Sequence, residues 1–273
     1  ISSSSPTACL PLGTYDIMGF LVLCLVLSMR GTGALPLRQS TIKGGSDCMK
    51  YNHDWMVLVA DQESFKCVGV LVDPQWVLTS ADCQNFLQDE VWLGRHNLEE
   101  FEKEAQAARI SLIFTHPLFK SSKSFMELKD VSHNLMLILL AERVTMSLAE
   151  RVLALPSREP HLGSNCSIFG LGMTDPSLHQ YTEIFQCLDF EVLPLGQCTA
   201  QWKETEFTLC AGHLNISRDI CVGDSGAPLL CDGMLQGIMA STGDYCTYRN
   251  TQSIYAKVSP HLDWIRAIID ALP

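Results

Sequence analysis

The sequence predicts an all-β protein with one C-terminal helix. Three observations lead there: short apolar runs recur at fairly even spacing, turn residues separate them, and helical periodicity is confined to the end of the chain. Many short strands without helical crossovers close into a sandwich or a barrel. Six runs occupy the first half, at residues 55–60, 68–72, 76–79, 91–93, 110–114 and 135–140. Five more follow at 167–171, 190–193, 227–230, 235–240 and 253–258. The stretch 141–160 carries charges and prolines and is expected to join two halves. In the terminal helix, Ser259 is expected as the cap and Pro260 at the first helical position. Leu262, Ile265 and Ile269 form one apolar stripe, and the helix is expected to run to Pro273.

The chain has 273 residues, 47% hydrophobic and 18% charged, a composition ordinary for a soluble globular protein of one or two domains. Its net charge of −11 excludes a nucleic-acid partner, because phosphate binding needs a basic patch, and disfavours an anionic membrane surface. Twelve cysteines without a CxxC pair point to structural disulfides in an oxidising compartment. Zinc-ligand spacing, a calcium loop and a phosphate loop are all missing from the sequence, so no metal and no cofactor are expected.

Residues 18–34 are a short apolar run followed by small residues ending at Ala34, the pattern of a signal peptide. The competing reading, an N-terminal anchor, needs a longer apolar span, so no stable membrane span is expected. Met18 reads as a start, with residues 1–17 an upstream extension. Loss of Cys9 and Cys24 leaves ten cysteines, an even number suited to five bridges.

The stretch Gly223-Asp224-Ser225-Gly226-Ala227-Pro228-Leu229 carries the chemistry. A serine between small residues on a tight loop presents its hydroxyl, and the N–H groups of Gly223 and Ser225 can converge on an oxyanion. Alone, the string also fits a plain turn in a β protein. Its context is more specific. Ile42-Lys43-Gly44-Gly45, the block Val70 to Cys83 (VLVDPQWVLTSADC), Asn134-Leu135-Met136-Leu137-Ile138 and Leu235-Gln236-Gly237-Ile238 occur in order around it.

With these blocks the chain resembles the trypsin/chymotrypsin family of serine proteases, and tissue kallikreins most closely, from about residue 42 to the C-terminus. The resemblance implies two packed six-stranded antiparallel β-barrels with a C-terminal α-helix over residues 42–273, behind a short pro-segment at 35–41. It implies the pairs Cys48–Cys187, Cys67–Cys83, Cys166–Cys231, Cys198–Cys210 and Cys221–Cys246. It puts Ser225 at the nucleophile position and Gly223 and Ser225 at the oxyanion hole. Asp219, Ser241, Thr242 and Ser253 fall in the substrate pocket, and Ile42 and Asp224 form the zymogen switch.

The departures from the family are as informative. Asp82 stands at the histidine position and Asn134 at the aspartate position. A serine hydroxyl needs a base of near-neutral pKa to take its proton. An ordinary aspartate, with a pKa of about 3.9, is a weak base at pH 7. Losing such a triad removes roughly 10⁶ of rate, so an inactive homologue is expected. His133 adjoins Asn134, but neighbours in extended chain point to opposite faces. His96, His116 and His261 read as surface or packing residues. Thr41 precedes Ile42 and the nearest upstream basic residue is Arg38, so a cut there leaves three residues before Ile42 and a zymogen-like oxyanion loop.

Asp219 has two readings: an acid that takes a Lys or Arg side chain, or a residual acid with no ligand. Ala240-Ser241-Thr242 replaces the family's Ser-Trp-Gly, Leu171 stands at a tryptophan position and Ala227 at a glycine position, so substrate binding is expected to have drifted. Of two sequons, Asn215 is the better glycosylation candidate, because Asn165 abuts a cysteine. Residues 120–130 read as a long exposed loop, a solvated loop or a partner contact. Together these features imply a secreted monomer that binds a protein partner or a peptide with a basic side chain, or acts as a decoy. The alternative is a weak or unusual serine endopeptidase of Lys/Arg preference.

Overall fold

The computed structural model describes residues 46–60, 65–87, 90–100, 102–121, 128–147, 150–171, 173–175, 180–198, 202–212, 225–240 and 253–272. Strand β1 is Ser46–Asp47, followed by β2 (Met56–Ala60), β3 (Phe65–Asp73), β4 (Trp76–Thr79), β5 (Glu90–Leu93), β6 (Gln106–Thr115) and β7 (Met136–Leu140). The second half holds β8 (Asn165–Gly170), β9 (Met173–Asp175), β10 (Gln180–Tyr181), β11 (Gln186–Leu193), β12 (Thr208–Gly212), β13 (Pro228–Cys231), β14 (Met234–Met239) and β15 (Ser253–Lys257). Helix α1 spans Leu262–Ala271.

Strands β2-β3-β4-β7-β6-β5 close into an antiparallel barrel. A second ring runs β8-β11-β12-β15-β14-β13 and closes where β13 pairs with β8, with β1 added at the edge of β11. The two six-stranded barrels and the C-terminal helix match the architecture expected from sequence. Four strands, β1, β9, β10 and β12, fall outside the apolar runs read from the sequence. Strand β12, Thr-Leu-Cys-Ala-Gly, lacks a β-branched or aromatic run, yet it is buried throughout and pairs with both β11 and β15.

Burial on both faces explains why β2, β3, β4 and β7 read as continuous apolar runs instead of alternating ones, whereas β5 alternates and β6 is largely exposed. Val57, Val59, Leu71, Val77, Met136, Ile138 and Leu140 fill the first barrel. Their neighbours Met56, Leu58, Val70, Trp76, Leu78 and Leu137 point the other way and join a core with Ile168, Phe190, Leu229, Ile238 and Tyr255 of the second barrel. The segment 141–160, between β7 and β8, has no regular secondary structure where it is described.

Four disulfides fasten this frame: Cys48–Cys187, Cys67–Cys83, Cys166–Cys231 and Cys198–Cys210. They agree with four of the five expected pairs and with an oxidising compartment. Cys221 and Cys246 lie outside the described residues.

The helix differs in detail from expectation. Ser259–His261 forms a 3₁₀ turn that leads into α1, and the Ser259 hydroxyl donates to Glu159 Oε1 at 2.9 Å instead of capping the helix. Ser259 lies inside the turn, whose N-cap is Val258, and no side chain caps α1, whose N-cap is His261. The helix ends at Ala271, and Ile265 is its fully buried anchor. No helix among the described residues is long and apolar enough to cross a membrane.

Candidate functional site

Ser225 is held at the junction of the barrels by its own backbone. Its carbonyl accepts from the Val68 N–H of β3 at 2.9 Å, and Gly226 N–H donates to Met239 O of β14 at 2.9 Å. The next residue has to be glycine. Gly226 sits at φ +86°, and a Cβ there would lie 1.9 Å from Val68 O and 2.4 Å from Thr79 Oγ1. The Ser225 carbonyl also lies 3.7 Å from the Cys83 sulfur, one residue beyond Asp82. The side chain of Ser225 is half-buried.

Asp82 stands in the first turn of a 3₁₀ segment, Ala81–Phe86, whose N-cap is Ser80. Asn134 lies before β7 and is 1% exposed. The two residues meet. The Asp82 N–H donates to Asn134 Oδ1 at 3.1 Å, and the Ser80 hydroxyl donates to the same oxygen at 3.0 Å. A backbone N–H can only donate, so the atom facing it must be the amide oxygen. The Asn134 NH₂ is thereby directed at the carboxylate, and it donates to Asp82 Oδ2 at 2.7 Å. Among the described residues no hydrogen bond joins Asp82 to the Ser225 hydroxyl.

This arrangement has a definite chemical capacity. The pair presents a half-buried carboxylate fixed by a neutral amide. It provides an acceptor for a cationic or N–H donor, whereas proton transfer from a hydroxyl would require a stronger base in contact with it. Asp82 and Asn134 are complementary to each other: an acid at position 134 would put two carboxylates face to face.

Ser253 begins β15, is 7% exposed and pairs with Ala211 of β12. It packs beside Cys198 and Ile254. Asn165 is exposed at the start of β8. Gly223, Asp224, Asp219, Ser241, Thr242, Ile42 and Asn215 lie outside the described residues, as does most of the 120–130 segment.

His133 and Asn134 have different partners, although the chain here is a turn and not the extended stretch expected: Asn134 N–H donates to Val131 O at 3.1 Å and Leu135 N–H to His133 O at 2.8 Å. His133 Nδ1 lies 2.9 Å from His261 Nε2, and its ring stacks on His116 with centroids 4.9 Å apart. His116 and His261 are 8% and 2% exposed, packing residues as expected. Burial, then repulsion from His261 and His133, pushes His116 down to about 4. Burial also lowers His261 and His133. Sequence spacing does not reveal this trio, because its members lie at residues 116, 133 and 261 on separate elements. Ser80, the second donor to Asn134, was also missed; its only sequence signal is its place in the Val70–Cys83 block, two residues before Asp82.

A second histidine pair lies elsewhere. His53 is buried against Phe185, and its Nε2 lies 3.2 Å from His96 Nδ1. Burial, then His96, pushes His53 down to about 4.

Comparison with known proteins places these features in context. The family model described as Trypsin matches residues 42–265. The chain is 43% identical over 259 residues to Kallikrein-1E2 of Equus caballus, covering 93% of this chain and 99% of the horse protein. It is 41% identical over 259 residues to Kallikrein-2 of Homo sapiens, again covering 93% of this chain and 99% of that protein. Among solved structures it resembles neuropsin, a serine protease expressed in the limbic system of mouse brain. That match has a TM-score of 0.73 and 31% identity, covering 82% of this chain and 98% of the other.

Proposed function

Because the chain belongs to the trypsin family of serine proteases, we propose that it is a homologue that binds basic peptides or proteins and does not cut them. The observation that carries this reading is the Asp82–Asn134 pair. Asp82 occupies the family's histidine position, and its carboxylate is engaged with the Asn134 amide at 2.7 Å. Among the described residues, Ser225, at the nucleophile position, then has no base in contact with its hydroxyl to take the proton and pass it to a leaving amine. Asn134, at the aspartate position, serves the substituted Asp82 and has no imidazole to orient.

The reading extends to the rest of the chain. Thr41 before Ile42 removes the basic residue at which a family zymogen is cut, so the Ile42 ammonium does not form to pair with Asp224, and the oxyanion loop at Gly223 stays zymogen-like. Asp219 supplies a second carboxylate in the pocket that Ser241, Thr242 and Ser253 line, which favours Lys or Arg ligands. A signal peptide at 18–34, the disulfide frame and a glycan on Asn215 fit a secreted protein acting as a partner-binding module or a decoy.

A second reading, a serine endopeptidase of Lys/Arg preference, draws on the hooked, half-buried Ser225 and on the named activity of the neuropsin relative. Incubating the purified chain with a library of Lys- and Arg-containing peptides separates the two. Retention of intact basic peptides supports the binding reading. Cleavage after Lys or Arg, abolished by Ser225→Ala, would establish the second.

A further inference from the structure

We propose that Asn165 carries an N-linked glycan on the outer face of the second barrel, at the end of β13 remote from Ser225. The site rests on the reading above that the chain is secreted, and it is separate from a glycan on Asn215. Asn165-Cys166-Ser167 is a complete acceptor tripeptide with no proline at its centre. In sequence the adjacent cysteine counts against this asparagine. The fold removes that objection.

The strand sorts the three side chains. They open β8, where alternate residues face opposite ways. Cys166 points inward, 3% exposed, and bridges to Cys231. Asn165 is exposed and Ser167 half-buried on the other face. Across the ladder Asn165 stands against Glu191 and Ser167 against Asp189 of β11, both exposed. This face is polar and open to water, the surface a bulky, hydrated glycan needs. Among the described residues the Asn165 side-chain amide has no hydrogen-bond partner, so attaching a sugar breaks no bond. The Ser167 hydroxyl donates to Asp189 Oδ1 at 3.0 Å, and that bond also survives.

The position leaves the candidate binding site open. Strand β8 runs antiparallel to β13, with Leu229 opposite Ile168 and Cys231 opposite Cys166. Asn165 therefore lies beyond the Cys231 end of β13, whereas Ser225 precedes its Pro228 end. The length of β13, at about 3.3 Å per residue, keeps the glycan about 10 Å or more along the sheet from the Ser225 loop.

The order of synthesis supplies access. The sugar is added to unfolded chain entering the secretory lumen. Strands β11 and β13, which flank β8, are both made after Asn165, and Cys231 follows Cys166 by 65 residues. At about 5–20 residues per second, Asn165 stays unpaired and Cys166 without its partner for about 3–13 s. The donor is a lipid-linked pyrophosphoryl oligosaccharide. The Asn165 amide nitrogen bonds to the anomeric carbon of its first sugar, and the amide releases one proton. The carbon–oxygen bond to pyrophosphate breaks, and its electron pair leaves on the phosphate oxygen.

The test expresses the full chain in mammalian secretory cells. Secreted and cell-retained protein are both digested with peptide:N-glycosidase F in heavy-oxygen water. That hydrolysis leaves a heavy-oxygen aspartate at each occupied asparagine, which mass spectrometry locates. The expected result is the label at position 165 in most secreted chains. The mass of one glycan is lost in Asn165→Gln and in Ser167→Ala, and kept in Ser167→Thr and at position 165 in Asn215→Gln. Because the sugar precedes folding, a variant that misfolds still reports from the retained fraction. A secreted chain with position 165 unlabelled, or with its mass undiminished by Asn165→Gln, would overturn the proposal and leave the secreted reading standing. A chain found only in the cytosol would overturn both.

Discussion

Replacing Asn134 by aspartate probes the site most sharply, because it exchanges the amide that faces Asp82 for a second acid. The substitution removes the amide donor that lies 2.7 Å from Asp82 Oδ2, a charge-assisted bond of about 1.5–3 kcal/mol. It also sets two carboxylates against each other at a residue that is 1% exposed. Unscreened by more than an effective dielectric of about 20, unit charges about 4 Å apart repel by about 4 kcal/mol. The pair escapes by retaining one shared proton, which restores a hydrogen bond. That escape sets the ceiling. Holding a proton at pH 7 against an ordinary carboxyl pKa of about 3.9 costs about 4 kcal/mol.

The sign follows from linkage. The variant pair has a folded pKa raised above its unfolded value, so its penalty is absent below about pH 3.9 and grows by about 1.4 kcal/mol per pH unit above it until the raised value is reached. The assay is urea or thermal unfolding of Asn134→Asp and the unsubstituted chain, compared at each pH from 4 to 7, so that other titrations cancel. A penalty near 4 kcal/mol corresponds to a Tm loss of about 8–16 °C at pH 7 for a domain of this size, shrinking toward zero at pH 4. A difference that is equal at pH 4 and pH 7, or that stays below about 1 kcal/mol at pH 7, would refute the claim that Asn134 exists to hold Asp82.

Other consequences of the structure are open to measurement. Gly226→Ala drives a Cβ to 1.9 Å from Val68 O at a φ of +86°; we expect more than about 3 kcal/mol of lost stability, read by chemical denaturation, and a near-neutral result would show that the Ser225 hook is not rigid. Ile265→Ala empties a fully buried position beneath α1 and is expected to cost about 2–5 kcal/mol in the same assay. Removing Cys67 and Cys83 together by serine substitution opens a loop of sequence separation 16, with an expected loss of about 3 kcal/mol. His116 and His53 are each pushed down to about 4 by burial. They remain neutral in the folded chain while the unfolded chain takes up protons, so stability should fall as pH drops from about 6.5 toward 4; a flat profile across that window would contradict their burial.

Much of the fold was legible because its physics is local. Strands β2, β3, β4 and β7 are apolar on both faces, since one face fills the first barrel and the other meets the second, and such runs stand out in sequence. Thr208–Gly212 escaped notice because its burial comes from β11 and β15 on either side and not from its own residue types. Ser259 misled because a 3₁₀ turn precedes α1 and takes Ser259 into its first position, so it does not stand at an N-cap. The Asp82 and Asn134 substitutions were visible in the motif blocks, but their mutual hydrogen bond, and the part of Ser80, belong to three-dimensional proximity. The histidine trio had no sequence signal for the same reason: its members are brought together by the seam between the first barrel and the terminal helix.

The central claim is that Ser225 lacks a base. Treating the purified chain with a fluorophosphonate probe tests it most directly, with labelling located by mass spectrometry and peptide hydrolysis followed in parallel. The account predicts no stoichiometric modification of Ser225 and no turnover. Stoichiometric labelling of Ser225 accompanied by cleavage of Lys or Arg peptides would contradict it.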